Sequence, residues 1–118
     1  MGRGSRTVSL RYVARGVVIE VDSGRPLPGL IVRAYDKDLV FDDFLGSTTT
    51  NDAGNFLIRF SEDDFRDFAE LSPDLYLRVH DPMTDRMLHQ TPVHRNFASD
   101  LSFRIELTLT TGGDGATD

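Results

Sequence analysis

Hydrophobic and polar positions alternate with a period of two along most of this chain, which is the signature of strands buried on one face only. In "LSFRIELTLT" the residues Leu101, Phe103, Ile105, Leu107 and Leu109 alternate with Ser102, Arg104, Glu106, Thr108 and Thr110. "DLYLRVHD" sets Leu75, Leu77 and Val79 against Tyr76, Arg78 and His80, and "NFLIRF" sets Phe56, Ile58 and Phe60 against Leu57 and Arg59. "RGVVIEV" is β-branched, with Val17, Ile19 and Val21 on one face, and it ends at "DSGRPLPG", whose Gly and Pro residues cannot continue a ladder. "LIVRAYD" resumes with Leu30, Val32 and Ala34 inward, and "LGSTTT" is a short strand closed by the Asn51-Asp52-Ala53-Gly54 turn. "MLHQTPV" is a weaker strand, and Pro92 assigns it to a sheet edge.

One segment departs from this period. "SEDDFRDFAEL" opens with Ser61 as an N-cap and three acidic residues on the positive end of a helix dipole, and Pro73 stops its continuation. A helix over 62–71 is predicted, sealing one edge of the core. Seven short strands at intervals of roughly ten residues then predict a mainly β fold, a seven-stranded antiparallel β-sandwich with one short helix. With 118 residues there is room for one hydrophobic core. The expected layout is a flexible N-terminus over 1–6, a single β-sandwich domain over 7–110, and a flexible Gly-rich tail over 111–118.

Composition narrows the function classes. The chain is 39% hydrophobic and 27% charged, with eight Phe and no Trp, as expected of a globular domain. Its net charge is −6 and its pI about 4.9, so its field repels a phosphate backbone; no Lys/Arg cluster is expected to offer a local exception, and nucleic acid is not expected as a partner. The absence of Cys removes disulfides, thiolate catalysis and Cys-ligated zinc, and leaves the compartment open. The start "MGRGSRTVSLRYVARG" has no apolar run suited to a signal peptide, and no stretch approaches the roughly 20 apolar residues of a membrane span, so a soluble protein is expected.

"GVVIEVDSGRPLPGLIVRAYDKD", "DDFLGSTTTNDAGNFLIRFS", the acidic segment after it and "PDLYLRVHD" together resemble the transthyretin-like, carboxypeptidase-regulatory-like β-sandwich modules over residues 16–81. Two motifs carry the resemblance, the "G.PLPG..V.AYD" hairpin and the "T.T...G.F" hairpin, and both specify fold and not chemistry. The resemblance implies a prealbumin-like sandwich of two antiparallel sheets acting as an accessory or binding module, often attached to a larger protein. Enzymes of related fold fit less well. The hydroxyisourate hydrolases carry an amino-terminal His motif and a closing Tyr-Arg-Gly-Ser, whereas the first His here is His80 and the chain ends in "TTGGDGATD". The intradiol dioxygenases hold iron with two Tyr and two His; Tyr12, Tyr35, Tyr76, His80, His89 and His94 supply the residue types without a matching spacing. His80 lies on the polar parity of its strand and is expected to face solvent, while His89 and His94, five apart, fit neither a strand nor a helical metal pair. No nucleophile elbow or triad is visible.

The loop "YDKDLVFDDFLGS" holds the candidate binding chemistry. Asp36, Asp38, Asp42 and Asp43 supply carboxylate oxygens suited to calcium. The EF-hand pattern is excluded, because counting from Asp36 places Val40 and Phe41 at positions five and six. A looser site, similar to those of C2-type domains, remains open on this loop, and Asp81 and Asp85 of "HDPMTDRM" could form its second loop if the strands place them there. Against it, Lys37 lies within the cluster, and acidic loop residues also cap turns and keep edges soluble. The apolar Leu39, Val40, Phe41 and Phe44 have two readings. Either Phe44 and Leu45 close the core with Val40 or Phe41 beneath them, or the four form an exposed patch, extended by Ile31, Arg33 and Tyr35, for a protein partner or self-association. The favoured expectation is a non-catalytic protein-interaction or structural accessory module without a cofactor. The alternative is a calcium-binding sandwich, with a hydrolase or metal-dependent oxygenase third and any small-molecule ligand unknown.

Overall fold

A computed structural model describes residues 11–64, 72–99 and 101–109. Seven strands form two packed sheets: β1 (Arg11–Glu20), β2 (Ile31–Asp36), β3 (Asp43–Thr49), β4 (Asn55–Ser61), β5 (Leu75–His80), β6 (Met87–Gln90) and β7 (Ser102–Leu107). The smaller sheet has the order β4-β1-β7 and the larger one β3-β2-β5-β6, so β6 is an edge strand. The β-sandwich is therefore the fold, with one departure from the expected antiparallel arrangement. β1 pairs with β4 antiparallel but with β7 parallel, in the register Arg15 opposite Ser102 to Glu20 opposite Leu107. The chain leaves β6 in the larger sheet and crosses through residues 91–101 to reach β1 from the other side. Val13 N donates to Ser99 Oγ at 2.9 Å along that crossing.

The inward residues of β2, β4, β5 and β7 follow the sequence periodicity: Val32 and Ala34, Phe56, Ile58 and Phe60, Leu75, Leu77 and Val79, and Phe103, Ile105 and Leu107 are all buried. Each of these Val, Leu, Ile and Phe side chains, fully buried, stabilises the fold by roughly 1.5–3 kcal/mol. Leu101 and Leu109 belong to the same parity but lie beyond the ends of β7, where no opposing sheet covers them, and both are exposed. β1 is the strand whose parity differs from expectation. It begins at Arg11, and its inward residues are Tyr12, Ala14 and Val18, whereas Val17 is half-buried and Val21 exposed. Both faces of β1 are apolar, so alternation alone could not distinguish them. Ile19 is buried on the outward parity because Pro26 bridges back to it. Tyr12 stacks on Phe60 with ring centres 5.3 Å apart, and Phe97 from the crossing segment joins the same aromatic group.

After β4 a 3-10 turn covers Glu62–Asp64. Ser61 N donates to Asp64 Oδ2 at 2.8 Å, the backward half of a capping box. The rest of the predicted helix, 65–71, lies outside the described residues.

Two irregularities decide which side chains face outward. Ala34 pairs with Gly46 but Tyr35 with Phe44, so Leu45 is an extra residue in β3. The bulge turns Leu45 into the core and sends Phe44 to the outer face beside Tyr35. A second bulge, between Val79 opposite His89 and His80 opposite Met87, turns Leu88 toward the core in the same way.

The β3–β4 turn depends on a side-chain clasp. Asn51 Oδ1 accepts from Ala53 N at 3.0 Å and Asn55 N at 2.9 Å, and Thr50 Oγ1 accepts from Leu30 N while donating to Leu27 O. Gly54 has φ 74°, and a Cβ there would stand 2.6 Å from Val18 O. Gly24 has nearly the same φ, 75°, with open space around it. Gly24→Ala is accordingly expected to cost only the left-handed backbone penalty of about 1–2 kcal/mol. Gly54→Ala adds displacement of β1, and its total loss in urea unfolding is expected to exceed that of Gly24→Ala by about 1–3 kcal/mol. Equal losses would show that the close approach to Val18 is relieved at no cost.

Candidate functional site

The outer face of the larger sheet and the loop 37–42 at its end form one surface. Tyr35 and Tyr76 are directly opposed on β2 and β5 and stack at 5.3 Å with their planes 17° apart. Phe44 meets the Tyr35 ring edge-on at 5.7 Å. Arg33 and Arg78 are also directly opposed, an arrangement that like charges disfavour. The conflict is resolved by sending them in different directions. Arg33 forms an ion pair with Asp85 at 2.8 Å, and the Arg78 guanidinium lies over the Tyr35 and Tyr76 rings, 5.1 and 5.5 Å from their centres, with Nε bonded to Gln90 Oε1.

This cover explains why two residues predicted to face solvent are buried. Tyr76 lies beneath Tyr35 and Arg78, and its hydroxyl donates to Asp42 Oδ2 at 2.5 Å. His80 sits under the Asp81–Arg86 turn, with Nδ1 2.9 Å from Asp85 O. A carbonyl only accepts, so Nδ1 carries the proton; Nε2 is buried without a partner among the described residues. His89 and His94 are half-buried, and His94 packs edge-on against Phe103.

The six candidate metal-binding aspartates have separate tasks. Asp36 is fully buried and its Oδ1 accepts from Asp74 N at 2.7 Å. Asp38 Oδ1 accepts from Leu39 N, while Asp38 N donates to Asp42 Oδ1 at 3.0 Å. Asp43 begins β3 opposite Asp36 and is half-buried. Asp81 Oδ1 accepts from Met83 N and Thr84 N, closing its own turn, and Asp85, at φ 61°, pairs with Arg33. The register places Asp36 beside Leu75 and Ile31 beside His80, so the Asp81–Asp85 turn is a whole strand away from the Asp36–Asp43 loop, roughly 17 Å. Among the described residues no three His, Asp or Glu side chains are arranged to hold a metal ion. In the loop Asp42 already accepts from Asp38 N through Oδ1 and from Tyr76 OH through Oδ2, and the two acidic turns are too far apart to share one ion.

The loop bonds also fix protonation. Asp42 is held below the usual carboxylate range, first by the hydrogen bond from Asp38 N and then by that from Tyr76 OH. Tyr76 is pushed up to about 12, chiefly by burial and then by its bond to Asp42. The apolar residues between these anchors are in water: Leu39 is 100% exposed, Val40 77%, Phe41 80% and Phe44 56%, while Leu45 alone turns inward. The surface offers stacked tyrosines and an arginine, types that carry binding energy at protein interfaces, beside exposed apolar side chains. In the sequence Tyr76 was named only among residue types that could ligate iron and Arg78 only as a polar strand position, although their shared outward parity with Tyr35 was the available signal.

No protein-family model matches the chain, and no curated protein sequence matches it. Among solved structures it is similar to a 9R-lipoxygenase from Cyanothece PCC8801, with a TM-score of 0.61 and 22% identity over 88% of this chain. The match covers 18% of the lipoxygenase, and at that identity it shows a shared fold alone.

Two measurements check the loop. The Asp42 carboxyl, followed by NMR, is expected to titrate below the ordinary Asp value. In Tyr76→Phe it should move upward without reaching that value, because the larger contribution from Asp38 N remains. The stability carried by Asp42 is present above the unfolded-state value of 3.8 and fades as pH falls through its lower folded value; that carried by Tyr76 is present below pH 10.0 and is lost as pH rises toward about 12. Millimolar calcium is expected to leave the melting temperature unchanged, and a calcium-specific rise lost in Asp42→Asn/Asp43→Asn would overturn the assignment of these carboxylates to the loop itself.

Proposed function

We propose that this protein is a non-catalytic interaction module of transthyretin-like, carboxypeptidase-regulatory-like form, docking to a protein partner through the 39–41 loop and the aromatic face beside it. The observation that carries this reading is the exposure of Leu39, Val40 and Phe41 on a loop that is nevertheless held in place. Burying one such side chain is worth roughly 1.5–3 kcal/mol, and the fold leaves all three in water. Mobile loops surrender part of that energy to ordering on binding. Here Asp42 already ties the loop to Asp38 N and to Tyr76, so less ordering remains to be done. Phe44, Tyr35 and Arg78 continue the contact area onto the sheet. The recurrence of this sandwich as 18% of a larger enzyme supports an accessory role.

The test separates docking from packing. Leu39→Ser/Val40→Ser/Phe41→Ser is expected to unfold within about 0.5 kcal/mol of wild type, since exposed substitutions rarely exceed that. A photo-crosslinking residue at position 40 of the full chain is expected to give an adduct of discrete mass in the producing cells. The same residue at Met83, which is 90% exposed on the distant turn, should give none. A triple variant destabilised by several kcal/mol would show that the loop closes the core, and absence of an adduct at position 40 would remove the docking reading.

A further inference from the structure

The smaller sheet carries the opposite chemistry on its outer face. β1 presents Arg11, Val13, Arg15 and Val17 outward, and β4 presents Asn55, Leu57, Arg59 and Ser61. The register sets Arg59 opposite Val13, diagonal to both Arg11 and Arg15, at the roughly 7–8 Å of diagonal neighbours in an antiparallel pair. Three arginines far apart in sequence thus meet on one face of a protein with 19 acidic and 13 basic residues. The expectation that no local basic cluster exists fails here, because the cluster is made by strand pairing and not by a run of sequence.

Four of the other described cations have acidic neighbours: Arg33 has Asp85, Arg95 has Asp74, Arg104 has Glu106, and Lys37 lies near Asp42. Among the described residues Arg11, Arg15 and Arg59 form no ion pair. Asp64 lies at the Arg11 end of this face, but its carboxylate is bonded to Ser61 N. Beside Arg15 and Arg59 a groove of about 650 Å³ runs from the sheet face onto the β3–β4 hairpin, and this is within the range of small-molecule sites. Val17 and Leu57 give it an apolar floor, and Thr49, Asn51, Asn55 and Ser102 stand around it. Asn51 Oδ1 is taken by the turn, which leaves its amide hydrogens as donors toward the groove.

We propose that this groove binds a small organic anion, with a carboxylate or phosphate between the Arg15 and Arg59 guanidinium groups and its carbon body on Val17 and Leu57. Arginine suits this task because its planar fork donates two parallel hydrogen bonds to one anionic group and stays charged at any physiological pH. The strand register keeps the two stems on one face within reach of a single anion. The site lies on the other sheet from the docking loop and stands or falls independently of it.

The test is an NMR titration of the backbone amides and arginine Nε–H groups with citrate and, separately, inorganic phosphate, at constant ionic strength. Citrate is expected to produce saturable shifts at Arg15, Arg59 and the neighbouring residues 16, 57 and 102, and to bind more tightly than phosphate. Arg15→Gln/Arg59→Gln should weaken citrate by about tenfold or more, as expected for lost charge-assisted bonds. Arg33→Gln/Arg86→Gln removes the same charge from the side of the larger sheet and should change nothing. Unfolding of both double variants, whose side chains lie on outer faces, reports whether each remains folded. Non-saturating shifts spread over all arginines, or equal weakening in both variants, would overturn the site as mere attraction to charge. Phosphate binding as tightly as citrate would overturn the organic ligand.

Discussion

A buried carboxylate at the end of one strand organises the larger sheet and the loop beyond it. Asp36 has no exposed surface, and a polar group taken out of water needs hydrogen bonds in place of its hydration. Asp36 Oδ1 accepts from Asp74 N at 2.7 Å, and Lys37 N donates to Asp74 O at 2.8 Å, so the end of β2 and the approach to β5 are joined through both side chain and backbone. Asp74 passes the connection on, its carboxylate accepting from Asn96 N and Arg95. Leu75 and His94 exchange backbone bonds just beyond, and Phe97 N donates to Pro73 O as its ring enters the core. Removing Asp36 would leave the Asp74 amide without its acceptor, a loss of about 1–3 kcal/mol for one group.

The loop inherits its order from that junction. Tyr76 follows Leu75 directly, so fixing the start of β5 also fixes where the Tyr76 hydroxyl meets Asp42, and Asp42 in turn holds Asp38 N. The apolar residues 39–41 are therefore displayed by a chain of hydrogen bonds that begins in the core. Of the acidic residues that look in sequence like a cation site, Asp36, Asp38 and Asp42 are the means of this display, satisfying backbone amides and the Tyr76 hydroxyl. An acidic protein with ordered loops needs acceptors at its turns, and aspartate supplies them at short reach.

Much of the sandwich was legible because one-sided burial imposes a period of two, and β2, β4, β5 and β7 obey it. The same signal was silent for β1, where Val17, Val18 and Ile19 are all apolar and only the position of the opposing sheet selects Val18. It also misplaced Tyr76 and His80. Outward parity normally means solvent, but here Tyr35, Arg78 and the Asp81–Arg86 turn cover that face. The parallel pairing of β7 had no local signature, since it depends on the path of residues 91–101. Of the candidate site, the exposed loop could be located but not distinguished from a lid, because Leu39 to Phe41 look alike in either role until the Leu45 bulge shows which residue fills the core. The arginine face required the β1–β4 register, although Arg11 and Arg15 already shared a parity.

The two proposed surfaces are separated by architecture as well as by charge. β2 ends and β3 begins at the 37–42 loop, whereas β3 ends and β4 begins at the Asn51–Gly54 turn beside the groove. A strand length and the thickness of both sheets thus lie between them. Coupling between sites requires an element with two arrangements that each ligand favours differently. The core between these surfaces is instead closely interlocked, with Leu45, Ile58 and Phe56 buried and Gly54 allowing no space for a side chain. Such a core transmits little beyond small displacements, so an anion in the groove and a protein on the loop would bind additively. If both proposals hold, the fold is a spacer between an apolar contact at one end and a cationic site on the opposite face.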